Sequence, residues 1–237
     1  MKLTVDTHTH SLLCRHAFST VTEIIQEAAN KNLEGVCLTE HGPGYPGSVN
    51  YAYFNTYRDI PNHMFGVRIF KGAEANYMDF SGKLDFNNDQ LKKLDIVIVS
   101  GHKECLSIGT KDEITRMISI VIKNPYVDIL GHLDNPIYPI DIDYIAKLAK
   151  EYNKALEINN SSPVARPGSE LICKELVMAA KRYGPLLSVG SDAHYHPIVG
   201  NFDYAISLLN EYDIPENQVI NSSLKCLEDF LVSHHKR

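Results

Sequence analysis

Short apolar runs alternate with longer amphipathic segments along the whole chain. Runs of strand length, rich in β-branched residues, lie at 3–7, 35–39, 67–73, 94–100, 126–130, 155–159 and 186–189. Elsewhere apolar positions recur with the spacing of one helix face, which predicts helices near 20–32, 111–123, 141–152, 168–183, 201–211 and 222–232. The first helix begins with Thr20 and Glu23 at capping-box spacing.

Strands that alternate with helices indicate a parallel sheet covered by helices. Seven strands with helical crossovers favour an α/β fold, a distorted seven-stranded (β/α)7 TIM-like barrel, over an open doubly wound sheet. No linker or repeat divides the sequence, so we expect one domain over residues 1–237. The segment 42–62 is rich in glycine, proline and aromatic residues, and we expect a rim loop with a short helix there.

Imidazole and carboxylate side chains collect at or just after the ends of the predicted strands. The set holds seven of the eleven histidines and two acidic residues: His8, His10, His16, His41, His102, His132, His194, Glu74 and Asp192. Side chains alternate along a strand, so His8 and His10 point the same way, and strand ends of a parallel barrel converge on one rim. His41, His102 and His132, each taken alone, are more typical of a buried structural histidine, and the motif at 6–10 alone could be a surface strand. The joint pattern predicts a site for about two or three zinc, iron or manganese ions.

Other polar residues near these positions are weaker candidates. They are Asp6, Cys14, Glu40, Cys105, Asn159, Asn160 and His196. Asp6 has the spacing to support the imidazole of a ligand histidine, and Glu40 either does the same or packs elsewhere. The two cysteines are alternative thiolate ligands, the two asparagines are expected to line the rim, and His196 is a candidate contact for a ligand or for substrate.

Composition narrows the class of protein and its setting. The 237 residues are 44% hydrophobic and carry a net charge of −6, so we expect no broad basic face for nucleic acid. No run of about 18 apolar residues predicts a membrane span, and the N-terminus lacks the apolar core of a signal peptide. Five cysteines without a C-x-x-C pair argue against a disulfide scaffold. We therefore expect a cytoplasmic protein, with residues 234–237 as a frayed tail.

The motifs around the candidate ligands, taken in order, resemble those of the PHP (polymerase and histidinol phosphatase) superfamily. The matching segments are DTHTH at 6–10, TEHGP at 39–43, GAEAN at 72–76, GH at 101–102, GH at 131–132, LEINNSS at 156–162 and GSDAH at 190–194. They span nearly the whole chain and are most similar to the stand-alone bacterial phosphatases of the YcdX type. The resemblance implies a seven-stranded (β/α) barrel with a trinuclear metal centre, usually of zinc.

The resemblance also implies how the ligands are shared among the metals. The first metal would be held by His8, His10, Glu74 and Asp192. The second would be held by Glu74, His102 and His132, with Glu74 bridging the two, and the third by His16, His41 and His194. Spacing alone does not sort the ligands in this way.

A close cluster of metals suits hydrolysis of a small phosphomonoester by a metal-activated hydroxide that attacks phosphorus in line. The residues expected to act in catalysis are Glu74, Asp192, His194 and Arg166. Arg166, in the loop after the sixth predicted strand, offers a bidentate fork to phosphate oxygens. Lys103 and Arg15 are the alternative phosphate-binding cations.

Other functions stay open at this point. A phosphodiesterase or 3′-exonuclease would keep the same ligands, but the missing basic face counts against a nucleic-acid strand as substrate. An amidohydrolase-like enzyme usually has a carbamylated lysine where Glu74 stands. A catalytically silent metal-binding regulatory module would also keep the ligands. Whether the chain forms a homo-oligomer is open as well.

Overall fold

Parallel strands wind in chain order around a barrel in the computed structural model, which describes residues 1–234. The strands are β1 (Val5–Asp6), β2 (Gly35–Leu38), β3 (His63–Met64), β4 (Val67–Asn76), β5 (Ile96–Ser100), β6 (Ile129–Leu130), β7 (Ala155–Asn159) and β8 (Leu186–Gly190). They pair in the order β1-β2-β4-β5-β6-β7-β8, and β3 pairs with β4 alone. All pairings are parallel except the β3–β4 pairing, which is antiparallel.

The first and last strands meet at the carboxyl end of the barrel. A parallel bridge joins Thr9 to Ala193, where the backbone N–H of His10 donates to the carbonyl of Ala193 at 2.9 Å. Further down, the Asn221 side chain donates to the carbonyls of Val5 and Val189, each at 2.8 Å. The barrel is therefore nearly closed, which confirms the predicted seven-stranded α/β barrel and excludes the open doubly wound sheet.

The helices are α1 (Val21–Asn30), α2 (Tyr51–Asn55), α3 (Asn88–Leu91), α4 (Lys111–Val121), α5 (Ile142–Glu151), α6 (Ser162–Ala165), α7 (Ser169–Tyr183), α8 (Asp203–Glu211) and α9 (Leu224–His234). Most helices pack on the outside of the barrel, α9 packs on the apolar cluster inside it, and the short α2 and α6 lie at the carboxyl rim. The predicted capping box at Thr20 and Glu23 is present, and Thr110 forms another with Glu113. No helix among residues 1–234 is long and apolar enough to cross a membrane.

Three strands have boundaries that differ clearly from the predicted ones. The predicted strand 67–73 extends to Asn76, so Glu74 lies within β4 rather than after it. The predicted strands 3–7 and 126–130 shorten to two residues each. The short elements β3, α3 and α6 have no sequence signal strong enough to predict them. Residues 235–237, part of the expected tail and domain, lie outside the described residues.

Apolar side chains fill the lower part of the barrel, and polar side chains fill its upper part. Val5, Cys37, Phe70, Ile96, Ile98, Ile129 and Ala155 form an inner cluster that packs on α9 through Leu227 and Phe230. A larger cluster fills the space between strands and outer helices. Successive inward positions on β7 change from Ala155 to Glu157 and Asn159, all of them buried. The carboxyl end of the barrel is thus a buried polar chamber above an apolar floor.

Candidate metal centre

All the predicted ligand residues lie at the carboxyl end of the barrel, around the carboxylate of Glu74. The imidazole nitrogens within 3.5 Å of its oxygens belong to His8, His10, His41, His102 and His132. The shortest of these separations are 2.7 Å, from Oε2 of Glu74 to Nδ1 of His41, and 3.0 Å, from Oε1 to Nε2 of His132. Glu74 is buried, so one carboxylate is shared by five imidazoles in a nearly dry environment.

The remaining predicted ligands extend the cluster toward solvent. Nε2 of His10 lies 3.0 Å from Nε2 of His8 and 3.3 Å from Oδ1 of Asp192. Nε2 of His41 lies 3.3 Å from Nε2 of His16, and the rings of His16 and His194 stack with centroids 4.8 Å apart. The structure therefore brings all of the predicted ligands into one continuous group.

Hydrogen bonds to the outer nitrogen fix the tautomer of four imidazoles. Each Nδ1 faces an oxygen that accepts, so Nδ1 carries the proton and Nε2 keeps its lone pair. The Nδ1–acceptor pairs are His8 with Glu157 at 2.7 Å, His102 with Asn76 at 2.7 Å, His16 with the Cys14 carbonyl at 2.9 Å and His194 with the Asp192 carbonyl at 2.9 Å. For His8 and His102, the lone pair then points at the electron-rich oxygens of Glu74.

Neutral imidazoles in this arrangement repel the carboxylate unless protons or metal ions lie between the groups. Among residues 1–234, Oε2 of Glu74 and Nδ1 of His10 are buried and have no hydrogen-bond partner. Tetrahedral ligands about 2.0–2.1 Å from zinc lie roughly 3.3 Å from one another, and the nitrogen and carboxylate separations of the cluster range from 2.7 to 3.7 Å. Nitrogen and carboxylate donors suit zinc, iron and manganese. The residues present therefore fit a centre of several transition-metal ions.

Several groups of three residues have ligand atoms that all lie within 4.8 Å of one another, and three of these groups consist of predicted ligands. They are His8 with His10 and Glu74, His41 with Glu74 and His102, and His16 with His41 and His194. The first group contains three of the four residues of one set that the resemblance implies, and the third group has the residues of another. The second group has His41 where the resemblance implies His132. A fourth group joins Cys14 to His10 and His194, although burial raises the pKa of the Cys14 thiol to about 11. Cys105 belongs to no such group within residues 1–234.

Burial and mutual attraction set the charges in the cluster. Burial raises the pKa of Glu74, but the imidazoles of His102 and His8 outweigh it and hold that pKa well below its usual range. Burial lowers the pKa of His10, and the neighbouring imidazole of His41 lowers it further. Glu74 is therefore an anion and His10 a neutral imidazole near neutral pH. These are the protonation states in which both bind a metal ion.

The backbone takes an unusual conformation at two ligand candidates. His132 and Asp192 have φ angles of 25° and 54°, a region that residues other than glycine rarely adopt and that is concentrated at functional sites. Close approach also explains Gly190, because a Cβ there would lie 2.4 Å from Cβ of His8 and 2.7 Å from Oε1 of Glu157. Only glycine lets the strands bring these two side chains together.

Arg166 is the predicted phosphate-binding cation that lies nearest the cluster. Its Nη2 donates to Oδ2 of Asp192 at 3.0 Å, and its Nη1 donates to Oγ of Ser162 at 3.2 Å. Burial opposes its charge, but Asp192 and Asp134 keep its pKa raised. Lys103 is 75% exposed and lies 4.0 Å from Glu104, and Arg15 is also exposed, in a left-handed turn. Arg166 thus donates to a candidate ligand, whereas Lys103 lines a cavity beside His102 and His132.

Several weaker candidates have other roles in the structure. The carboxylate of Asp6 accepts from the backbone N–H groups of His8, Ser191 and Gly200, so its expected contact with an imidazole is wrong. Asn159 donates to Oδ2 of Asp192 at 3.1 Å and lines the chamber as expected. The other three turn elsewhere: Glu40 accepts from the backbone of Ser11, Asn160 accepts from the backbone of Ala205, and His196 pairs with Ser19.

Three functional neighbours of the cluster had no role assigned from the sequence. Glu157 holds His8, and Asn76 holds His102. Tyr45, in the rim loop, stacks on His41 with ring centroids 4.2 Å apart. A signal existed for the first two, because Glu157 is a charged residue inside an apolar strand and Asn76 lies two positions beyond Glu74, on the same face of β4.

Comparisons with known proteins agree with this geometry. A protein named probable phosphatase from Caldanaerobacter subterraneus subsp. tengcongensis is 48% identical, covering 100% of this chain and 94% of the relative. Another probable phosphatase, from Caldicellulosiruptor bescii, is 41% identical with coverages of 100% and 98%. Among solved structures, the histidinol phosphate phosphatase of Lactococcus lactis, crystallised with zinc, L-histidinol and phosphate, shares the fold. It is 20% identical, with a TM-score of 0.62 over 90% of this chain and 94% of that one.

Fold and site together define a parallel α/β barrel hydrolase with a histidine and carboxylate cluster at its carboxyl rim. The model of the PHP domain family matches residues 6–161. The chain belongs to the PHP domain family. The resemblance seen in the sequence motifs is confirmed, and so is the expected enzyme class, a hydrolase of phosphoric esters.

Proposed function

We propose that this chain is a metal-dependent phosphatase that hydrolyses small phosphomonoesters at a centre of about two to three transition-metal ions. The observation that carries the proposal is the shared carboxylate of Glu74. It is buried, it faces five imidazoles, and its Oε2 accepts no hydrogen bond. A carboxylate in this position is suited to bridge two metal ions.

The ligand assignment implied by the family resemblance is our proposal for the sharing of the metals. Supporting the first site, Nε2 of His10 lies 3.3 Å from Oδ1 of Asp192 and 3.5 Å from Oε2 of Glu74. Supporting the second site, Nε2 of His102 and Nε2 of His132 lie 3.5 Å and 3.0 Å from the same oxygen, Oε1 of Glu74.

Zinc is the metal we propose, with iron or manganese as the alternatives. All three accept imidazole and carboxylate ligands in this combination. The Lactococcus lactis phosphatase of similar fold was crystallised with zinc and phosphate, which supports zinc for this chain. Bound ions would supply an activated hydroxide and neutralise the charge of the phosphoryl group.

The residues of the chain bind and orient the ester around that centre. Arg166 presents its remaining guanidinium N–H groups to the phosphoryl oxygens while Asp192 holds it in place. Asn159 donates to the same oxygen of Asp192, at 3.1 Å, so that the carboxylate is held from two sides. Val164 and Ile198 form an apolar edge of the cavity.

The cavities at the rim support a small substrate. One of about 300 Å³ lies over the cluster, and a neighbouring one of about 320 Å³ shares His102, Ala165 and Arg166 with it. A phosphoryl group over the metals would therefore leave room for a small alcohol beside Arg166. A net charge of −6 does not favour a long nucleic-acid strand. The Lactococcus lactis neighbour is a histidinol phosphate phosphatase, which supports a small phosphorylated alcohol as the substrate.

A panel of substrates tests the proposal. The purified protein, with its metals measured on the same preparation, is assayed against small phosphomonoesters, bis-esters and single-stranded DNA. We expect phosphate release from monoesters, slower turnover of bis-esters, and loss of activity on strong chelation. Faster turnover of single-stranded DNA than of any monoester would favour the exonuclease, and a metal-loaded protein inactive on the whole panel would favour a regulatory module.

We also propose that the enzyme acts in the cytoplasm. All five cysteines lie within residues 1–234 and none forms a disulfide, which suits the cytoplasm.

A further inference from the structure

Asp85 links the rim loop, residues 42–62, to the end of strand β4. It follows an antiparallel bridge between Tyr77 and Leu84. Its Oδ1 accepts from the backbone N–H of Asn76 at 2.9 Å, and its Oδ2 accepts from the backbone N–H of Gly44 at 3.0 Å. Its Oδ2 also accepts from Nδ2 of Asn76 at 2.6 Å. One carboxylate therefore satisfies three donors from two separate segments.

The side-chain contact determines which way the amide of Asn76 faces. An ionised carboxylate only accepts hydrogen bonds, so Asn76 must turn its NH₂ group toward Asp85 and its Oδ1 toward His102. That oxygen lies 2.7 Å from Nδ1 of His102. Nδ1 of His102 is then the donor, and its Nε2, 3.5 Å from Oε1 of Glu74, keeps the lone pair that a metal needs.

The rim loop is shaped to let this carboxylate approach. A Cβ at Gly42 would lie 2.2 Å from Oδ2 of Asp85, closer than any real contact. Any larger residue at position 42 would push the carboxylate away from Gly44 and Asn76. Position 42 directly follows His41, so the same stretch of loop delivers a ligand candidate and accommodates Asp85.

We propose that Asp85 is a positioning residue that sets the metal-binding tautomer of His102 through Asn76 and, through Gly44, tethers the rim loop to that same ligand. The proposal rests on the proposed metal centre. Asp85 is not itself one of the proposed ligands. It makes the orientation of His102 and the position of the rim loop depend on one carboxylate, so that loosening the loop weakens a metal site.

The variant Asp85→Asn tests the relay. One carboxylate oxygen becomes an NH₂ group. At the Oδ1 position this group would face the fixed backbone N–H of Asn76, so it takes the Oδ2 position. There the rotatable amide of Asn76 turns its oxygen toward position 85 and its own NH₂ toward His102. We expect nitrogen NMR of the metal-free protein at about pH 8, where imidazole is neutral, to show His102 moving from the Nδ1–H toward the Nε2–H tautomer. Affinity for one metal ion should fall about 10–100-fold. Hydrogen exchange at the Gly44 amide should become faster.

The matched control is Asp79→Asn. Asp79 is an exposed aspartate near the same bridge, and its carboxylate accepts from the backbone N–H and the hydroxyl of Ser81. The Asp79→Asn variant should have the same His102 tautomer, the same metal affinity and the same rate of hydrogen exchange at Gly44 as the wild type. An Asp85→Asn protein that keeps the Nδ1–H tautomer and full metal affinity would overturn the proposal.

An exchanged pair, Asn76→Asp with Asp85→Asn, separates the two halves of the proposal. A carboxylate at position 76 again accepts from Nδ1 of His102 and from an NH₂ group at position 85, but Gly44 now faces that NH₂ group. We expect the tautomer and the metal affinity to recover while exchange at Gly44 stays fast. Should Asp85→Asn fail to fold, the exchanged pair decides, and slow exchange at Gly44 or an Nε2–H tautomer in it contradicts the relay.

The wild-type protein distinguishes this proposal from the proposed function. A wild-type chain that binds no metal would contradict the proposed metal centre itself. A wild-type chain that binds its metals, together with an Asp85→Asn chain that binds them equally well, removes only the role of Asp85.

Discussion

Nδ1 of His8 lies 2.7 Å from Oε1 of Glu157, across the inside of the barrel. The other oxygen of Glu157 accepts from the backbone N–H of His132 at 2.8 Å and from Nδ2 of Asn159 at 3.3 Å. Burial raises the pKa of Glu157, but the interaction and hydrogen bond with His8 outweigh burial and lower that pKa. One buried carboxylate therefore orients two ligand candidates from different strands.

Glu157→Gln should weaken metal binding although position 157 is not itself a proposed ligand. Its NH₂ group would face either Nδ1 of His8 or the N–H of His132, so one donor is lost in each orientation. We expect metal affinity to fall about 10–100-fold, measured by competition with a chromophoric chelator. The exposed Glu151→Gln is the matched control, and equal affinity in both variants would show that Glu157 does not orient the ligands.

Glu74→Gln should cost more metal than His16→Ala. Glu74 faces both the His8 and the His102 side of the cluster, whereas His16 is exposed and lies in the outer group. Elemental analysis after purification without added metal measures the difference. We expect loss of about two ions for Glu74→Gln and about one for His16→Ala; equal losses would contradict a bridging role.

Arg166→Ala should lower kcat/KM by roughly 30–1000-fold, the cost of about 2–4 kcal/mol for a charge-assisted bidentate pair. Arg166→Lys should recover only part of this, because lysine keeps the charge but not the fork. The contact with Asp192 makes a metal assay on each variant necessary. Arg182→Ala, at a half-exposed arginine that pairs with Asp143, is the control. Near-normal kcat/KM in metal-replete Arg166→Ala would reject the clamp.

Lys154 predicts a pH dependence of stability that is independent of the site. Burial lowers its pKa to about 8, against the attraction of Asp128, while its Nζ donates to the carbonyls of Asn124 and Val127. The unfolded chain, in which lysine has a pKa near ~10.4, binds more protons between these two values. The free energy of unfolding therefore gains from this residue as the pH rises from about 8 to about 10.5.

Lys154→Met removes that gain. Relative to the variant, the wild type should become more stable over this pH window by on the order of 2–3 kcal/mol, measured by denaturant unfolding at several pH values. Below pH 8 the difference should be flat. The exposed Lys150→Met should show no such slope, and a wild-type slope identical to that of Lys154→Met would rule out the buried charge.

The pattern of apolar positions predicted the barrel because each apolar run has the length of a strand and is followed by a segment with helical spacing. The run at 155–159 matches β7 residue for residue. Its apolar and polar positions alternate, and this alternation fixes which face of the strand points into the barrel. The pattern is weaker at 67–73. There the inward side chains change from Phe70 to Glu74 without a change in backbone pairing, so polarity suggested an end where the hydrogen-bond ladder continues to Asn76.

The candidate ligands were predictable because strand ends of a parallel barrel converge, but their supports were not. Glu157 and Asn76 act through distances set by strand register, which the sequence does not encode locally. Asp6 illustrates the reverse error. Its spacing from His8 is right for an inward side chain, yet the closing strands bring three backbone N–H groups to it instead.

The most direct test of the account is phosphate release measured against metal content in the same samples. Chelated protein is reloaded stepwise with zinc, and both the ions bound per chain and the rate on a small phosphomonoester are recorded. The account predicts little release from the metal-free protein and a rise that levels off at about two to three ions per chain. Full activity with less than about one ion per chain would contradict it.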